Sequence, residues 1–118
     1  MSVKRIEEVP AELVPDAFGV SKQVLISAGE APNFAMRCFT IQPGGSMPLH
    51  TNLVEHEQYV LGGNAKVVIG EESCLVGPGS VVFIPAGAAH AYVNTGSEPF
   101  RFLCLIPNRE DKTSFVSS

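Results

Sequence analysis

Apolar residues recur along this chain with a period of two, the repeat of a strand with one buried face. The pattern runs through KQVLIS, NFAMRCFTIQ, EQYVLGG, NAKVVIG, SVVFIPAG, AHAYVN and FRFLCLIP. Between these runs lie EAPN, PGGS, GGN, GPGS, PAGA and NTGSEP, clusters of the residues that make tight turns. Seven or more short strands at this spacing predict an all-β barrel or sandwich. AELVPDAF is the one stretch that could form a helical turn, and Pro15 interrupts it. No repeat, low-complexity tract or linker divides the chain, so residues 1–118 are expected to form one domain. Within it, residues 1–26 form an extended segment that pairs with its own sheet edge or with a partner's. A homodimer is the ordinary way to cover such edges and is expected here.

Composition narrows the partners. With 118 residues, 45% of them hydrophobic, the chain can bury a core without disulfides. Eight basic against twelve acidic side chains give a net charge of −4, which disfavours nucleic acid and anionic membranes. No apolar run approaches the roughly 20 residues of a membrane helix. The amino terminus, MSVKRIEEVPAELVP, lacks the apolar core of a secretion signal, so the cytoplasm is the expected location. Cys38, Cys74 and Cys104 are odd in number and far apart, and they are expected as small core hydrophobes.

The candidate chemistry lies in the histidines. The chain has three, His50, His56 and His90, in two strand–turn segments, PGGSMPLHTNLVEHEQYVLGG and GPGSVVFIPAGAAHAYVN. Alternation puts His50 with Asn52 on one face, and His90 with Tyr92 and Asn94. Three imidazoles brought together inside a barrel leave ring nitrogens that a metal or ordered water must satisfy, at a cost of roughly 1–3 kcal/mol each if nothing does. A metal site is the favoured reading and a wet, metal-free pocket the alternative. Gln58 and Tyr92 share faces with His56 and His90 and are candidates to hydrogen-bond substrate; packing in the barrel wall accounts for them equally. Phe102, Cys104 and Ile106 alternate against Arg101, Leu103 and Leu105, and would line an apolar pocket if they face inward. Arg37, the single charge in NFAMRCFTIQ, is either an anchor for a carboxylate substrate or one half of a surface salt bridge.

At these residues the chain resembles the cupins, double-stranded β-helix or jelly-roll barrels. The family's second motif, G, five residues, P-x-G, two residues, H, three residues, N, is matched at every fixed position by Gly79, Pro85, Gly87, His90 and Asn94. Its first motif, G, five residues, H-x-H, three or four residues, E, six residues, G, is matched by Gly44, His50 and Gly63. Asn52 stands where the second histidine belongs and His56 where the glutamate belongs; Glu57 is the glutamate if the longer spacing is used. Over nearly its whole length the chain is similar to small single-domain bacterial cupins with an all-histidine manganese site and the motif H-x-H-x-x-x-H. That resemblance implies one divalent metal ion on His50, His56 and His90, with Asn52 at the fourth position as a weak ligand, a water anchor or a substrate contact.

Imidazole suits manganese, iron, zinc and nickel alike, so the metal stays open. The expected function is a metal-dependent enzyme acting on a small organic molecule, with an oxygen-using, dioxygenase-like oxidoreductase placed first. The alternatives are a non-redox isomerase, lyase or cyclase acting on a sugar or keto acid, and a barrel that binds a small ligand without catalysis.

Overall fold

The computed structural model describes residues 1–116, and its strands form a curled antiparallel jelly roll. In chain order the strands are β1 (Glu12–Leu13), β2 (Phe18–Ile26), β3 (Phe34–Thr51), β4 (His56–Gly62) and β5 (Ala65–Ile69). They continue as β6 (Glu72–Val76), β7 (Val81–Ile84), β8 (His90–Asn94), β9 (Phe100–Pro107) and β10 (Ser114–Phe115). A single 3-10 turn, Ile6–Glu8, precedes them. AELVPDAF is not helical: Glu12 and Leu13 pair with Lys22 and Ser21.

The long strand β3 belongs to both walls of the barrel. Its first half, Phe34 to Ile41, lies between β2 and β9, and its second half pairs with β8 and β10. One wall is therefore β1-β2-β3-β9-β4-β7 and the other β6-β5-β8-β3-β10. The bend falls at Pro43-Gly44-Gly45. Gly44 takes a φ of +81, open to glycine at no steric cost. Gly45 has no positive φ; a Cβ there would lie 2.5 Å from the Phe18 carbonyl oxygen, so close backbone approach is what requires it.

Burial follows the predicted alternation. In β4, His56, Gln58 and Val60 are buried while Glu57 and Tyr59 are exposed; in β8, His90, Tyr92 and Asn94 are buried; in β9, Phe100, Phe102 and Cys104 are. Register makes these one inner face, with Gln58 opposite Cys104 and Phe39 opposite Phe102. Phe102 is the centre of the core, stacked on Phe39 and Tyr92 with ring centroids 5.4 and 5.1 Å apart. Asn94 has a structural role. Its Nδ2 donates to the carbonyls of Ile41 and Glu98, and its Oδ1 accepts from Gly96 N, all at 2.9 Å, which pins the turn between β8 and β9 to β3.

The amino-terminal segment folds onto its own chain. Gln23 Nε2 donates to the carbonyls of Ile6 and Val9, and Lys4 pairs with Glu30 at 3.2 Å. Cys38 and Cys104 are buried as expected, whereas Cys74 is exposed. It sits on β6, an edge strand whose outer residues are uncovered and whose sequence, ESCLV, shows no alternation to mark it.

Gly63 offers a sharp test of this packing. Its φ is +79, and a Cβ there would overlap the Pro99 carbonyl oxygen and come within 2.7 Å of Phe100 Cα. Left-handed strain and overpacking add, so Gly63→Ala is expected to cost about 2–5 kcal/mol in a denaturant titration. Its neighbour Gly62, where a Cβ meets nothing within 4 Å, should accept alanine almost silently; equal costs at the two positions would refute the packing account.

Candidate functional site

The bend in β3 and the turns before β4 and β8 bring the three histidines together. His50 and His90 are direct cross-strand partners, with ring centroids 4.1 Å apart, and His56 lies edge-on to His90 at 5.7 Å. Nδ1 of His50 is 2.8 Å from the Pro48 carbonyl oxygen and Nδ1 of His90 is 2.9 Å from that of Ala88. A carbonyl only accepts, so both Nδ1 atoms carry the hydrogen and the Nε2 lone pairs are free. Pro48 and Ala88 thus fix the rings in the tautomer that can ligate a metal.

Three buried atoms on residues lining this pocket have no partner among the described residues: Nε2 of His56, Nε2 of His90 and Oδ1 of Asn52. Two imidazole nitrogens and an amide oxygen are donors suited to a divalent ion, so the residues fit the group that the motif implies. Among the described residues, no three His, Cys, Asp or Glu side chains are gathered closely enough to enclose an ion as they stand. The His50 and His90 rings lie against each other, tilted by 53°.

The surrounding pocket is about 410 Å³. Gln58 Nε2 donates to Tyr92 Oη at 2.6 Å and approaches Cys104 Sγ at 3.6 Å. Arg37 faces inward opposite Cys104, its guanidinium carbon 5.0 Å from the Phe39 ring centre and Nη2 3.2 Å from Cys104 Sγ. Its Nε is buried without a partner, and among the described residues the ion pairs are Lys4–Glu30 and Arg5–Glu7. The surface salt bridge is therefore not found. Phe102 and Cys104 line the pocket, but Ile106 packs against the core beyond it. Glu57 is exposed on the outer face, opposite Phe83 and Leu105, away from the imidazoles.

Several pocket residues carry no signal in the sequence. Glu12, Asp16 and Lys22 border it from the amino-terminal strands, and Thr113 and Phe115 from the carboxyl-terminal segment. Asp111 reaches the same place by accepting from Asn52 Nδ2 at 3.2 Å and from Leu53 N at 2.8 Å. NREDKTSF has neither periodicity nor a motif; only its pairing with β3 gives it a role.

Burial keeps the imidazoles uncharged at neutral pH. Loss of hydration on burial holds all three histidines below the ordinary imidazole range, His56 and His90 down to about 4. Arg37 pushes His56 further in the same direction. Burial pushes the Tyr92 phenol and the Cys104 thiol well up, so both keep their protons at neutral pH.

The lowered histidine pKa values make a prediction for the metal-free protein. A folded pKa near 4 against 6.5 unfolded means that the unfolded chain binds more protons between those values. The histidines' contribution to stability is complete above pH 6.5, falls as pH drops towards 4 and levels off below. Each histidine contributes about 1.4 kcal/mol for every tenfold difference between its proton affinities in the folded and unfolded chain. Urea midpoints measured from pH 7 to 4 should fall steeply; a flat profile would mean that the rings are hydrated.

Residues 37–106, more than half of the chain, match the family model described as a cupin domain. The chain is a cupin. Among solved structures, this cupin is similar to the polyketide cyclase RemF from Streptomyces resistomycificus, at 33% identity and a TM-score of 0.88, covering all of this chain and 88% of that one. It is also 30% identical over 93 residues to 1-methylthio-D-xylulose 5-phosphate methylsulfurylase of Rhodospirillum rubrum, covering 79% of this chain and 59% of that protein. A third relative is mannose-1-phosphate guanylyltransferase RfbM of Salmonella typhimurium, 33% identical over 84 residues that make up 70% of this cupin and 17% of RfbM. This cupin thus spans less than two thirds of each of those two curated relatives. Among the described residues, no helix is long and apolar enough to cross a membrane.

Proposed function

We propose that this cupin is a metal-dependent enzyme acting, without net oxidation, on the carbonyl group of a small organic acid. The observation that carries the reading is the meeting, in one pocket, of imidazole nitrogens with Arg37: among the described residues, His56 Nε2, His90 Nε2 and Arg37 Nε have no hydrogen-bond partner and Arg37 has no carboxylate counterpart. His50, His56 and His90, with Asn52, would hold a divalent ion. When bound, an ion with neutral nitrogen ligands keeps its dipositive charge and polarises a carbonyl or enol oxygen.

The remaining roles fall to the chain's own groups. Arg37, half-buried and unpaired, binds the substrate's carboxylate through a charge-assisted hydrogen bond. Tyr92 Oη already accepts from Gln58, so its own hydrogen is free to be donated to a substrate oxygen. Phe39, Phe102 and Met47 line the pocket and exclude water around it. The activities for which similar proteins are named, a cyclase and a methylsulfurylase among them, support the non-oxidative reading over the dioxygenase-like one. A partner copy would cover the outer face of β4 and β7, where Tyr59, Leu61, Val81 and Phe83 are exposed.

The test is protein loaded with zinc, which has no redox chemistry, and screened under nitrogen against small enolisable keto acids. Turnover there supports the proposal; activity confined to iron-loaded protein in air would establish the oxidative alternative instead. Arg37→Gln should keep its metal and weaken binding of the acid by about tenfold to a hundredfold, the loss of one hydrogen bond to a charged group. Unchanged affinity would remove Arg37 from the site.

A further inference from the structure

Asn52 is held in one orientation by a segment far away in sequence. Both hydrogens of its amide are used: Nδ2 donates to Asp111 Oδ2 at 3.2 Å and to Thr113 Oγ1 at 2.9 Å. A carboxylate has no hydrogen to give, so the amide cannot be turned over without setting oxygen against oxygen. The consequence is that Oδ1 faces the other way. It is buried, without a partner among the described residues, in a residue more than nine-tenths buried.

Asp111 is itself fixed, since its other oxygen accepts from Leu53 N at 2.8 Å and from Lys112 N at 2.8 Å. The Asn52 backbone is held as well, its carbonyl accepting from Gly87 N at 2.8 Å. Immediately beyond Thr113, β10 pairs with the histidine strand, Ser114 opposite Thr51 and Phe115 opposite His50, and Val116 N donates to the Leu49 carbonyl at 3.0 Å.

We infer that Asp111 and Thr113 are positioning residues that aim the Asn52 carbonyl oxygen at the space between the imidazoles, making the centre a three-nitrogen, one-oxygen set that the carboxyl-terminal segment completes. The inference rests on the metal reading above and specifies it further. An amide oxygen is a harder donor than imidazole, so its gain or loss weighs more on manganese than on zinc. The carboxyl-terminal segment also gains a function, because undocking it frees the Asn52 amide to rotate and removes the oxygen.

The test is a competition titration of the full-length protein with Mn²⁺ and Zn²⁺, for wild type, Asp111→Ala, Asn52→Ala, the double variant and His56→Ala. Asp111→Ala should weaken Mn²⁺ binding by about ten- to a hundredfold, the usual effect of removing a residue that orients a ligand, and Zn²⁺ binding by less. The double variant should bind no more weakly than Asn52→Ala alone, because Asp111 acts through Asn52. Wild-type affinity in Asp111→Ala, or a further tenfold loss in the double variant, would overturn the inference.

His56→Ala separates the two levels. Metal lost there but kept in Asp111→Ala defeats only this inference, whereas a wild-type protein that binds neither ion defeats the metal reading. A second readout needs no metal. In proton–nitrogen NMR the two Asn52 amide protons should be widely separated in wild type, and should collapse towards free-amide positions in Asp111→Ala. Free-amide positions in the wild type would equally overturn the inference.

Discussion

Protein carrying His56→Ala is expected to emerge from chelator-free purification with its metal content reduced from about one ion per chain towards none. Residues that merely orient a ligand typically change metal affinity by about 10–100-fold, so removal of a ligand should exceed about a hundredfold. The fold should survive. His56 opens β4, its backbone pairs opposite Ile84 whatever its side chain, and losing the ring removes a buried nitrogen that has no partner among the described residues. Elemental analysis beside a thermal melt makes the comparison. An unchanged metal-to-chain ratio would take His56 out of the centre, and a collapsed melt would make it a packing residue.

Phe102→Ala should be the most destabilising substitution in the core. The ring is 1% exposed and stacks between Phe39 and Tyr92, with Phe100 tilted against it at 5.4 Å. Truncating a buried phenylalanine typically costs about 3–5 kcal/mol, and the total stability of a domain is typically about 5–15 kcal/mol. The urea midpoint should fall accordingly, and Phe102→Leu should recover most of the loss. Because the same ring supports Tyr92 and Phe39, and Phe39 carries Arg37, substrate affinity should fall even in the fraction that stays folded. A cost below about 1 kcal/mol would show that the site collapses around the gap and that the stack is not what holds the two walls together.

Period-two alternation was enough to find the strands that carry the site, because each has one buried and one exposed face. EQYVLGG, AHAYVN and FRFLCLIP therefore announced which side chains point inward. It failed for β6, uncovered on an edge, and for β1 and β10, two residues each, where nothing is sorted between two faces. Glu57 was legible for the same reason as His56: one residue along a strand means the opposite face.

What the sequence by itself determined is the inner face: His50, His56, His90, Gln58 and Tyr92 follow from alternation, and the tight turns from glycine and proline. Tertiary structure alone decided which strands meet. Cross-strand register made His50 and His90 neighbours, put Arg37 beside Cys104, and brought Asp111 and Thr113 to Asn52. Alternation along a strand is set by local backbone geometry, and a chain carries that signal wherever the strand lies. Contact between residues 59 and 61 positions apart depends on how the sheet curls, and no local pattern encodes it.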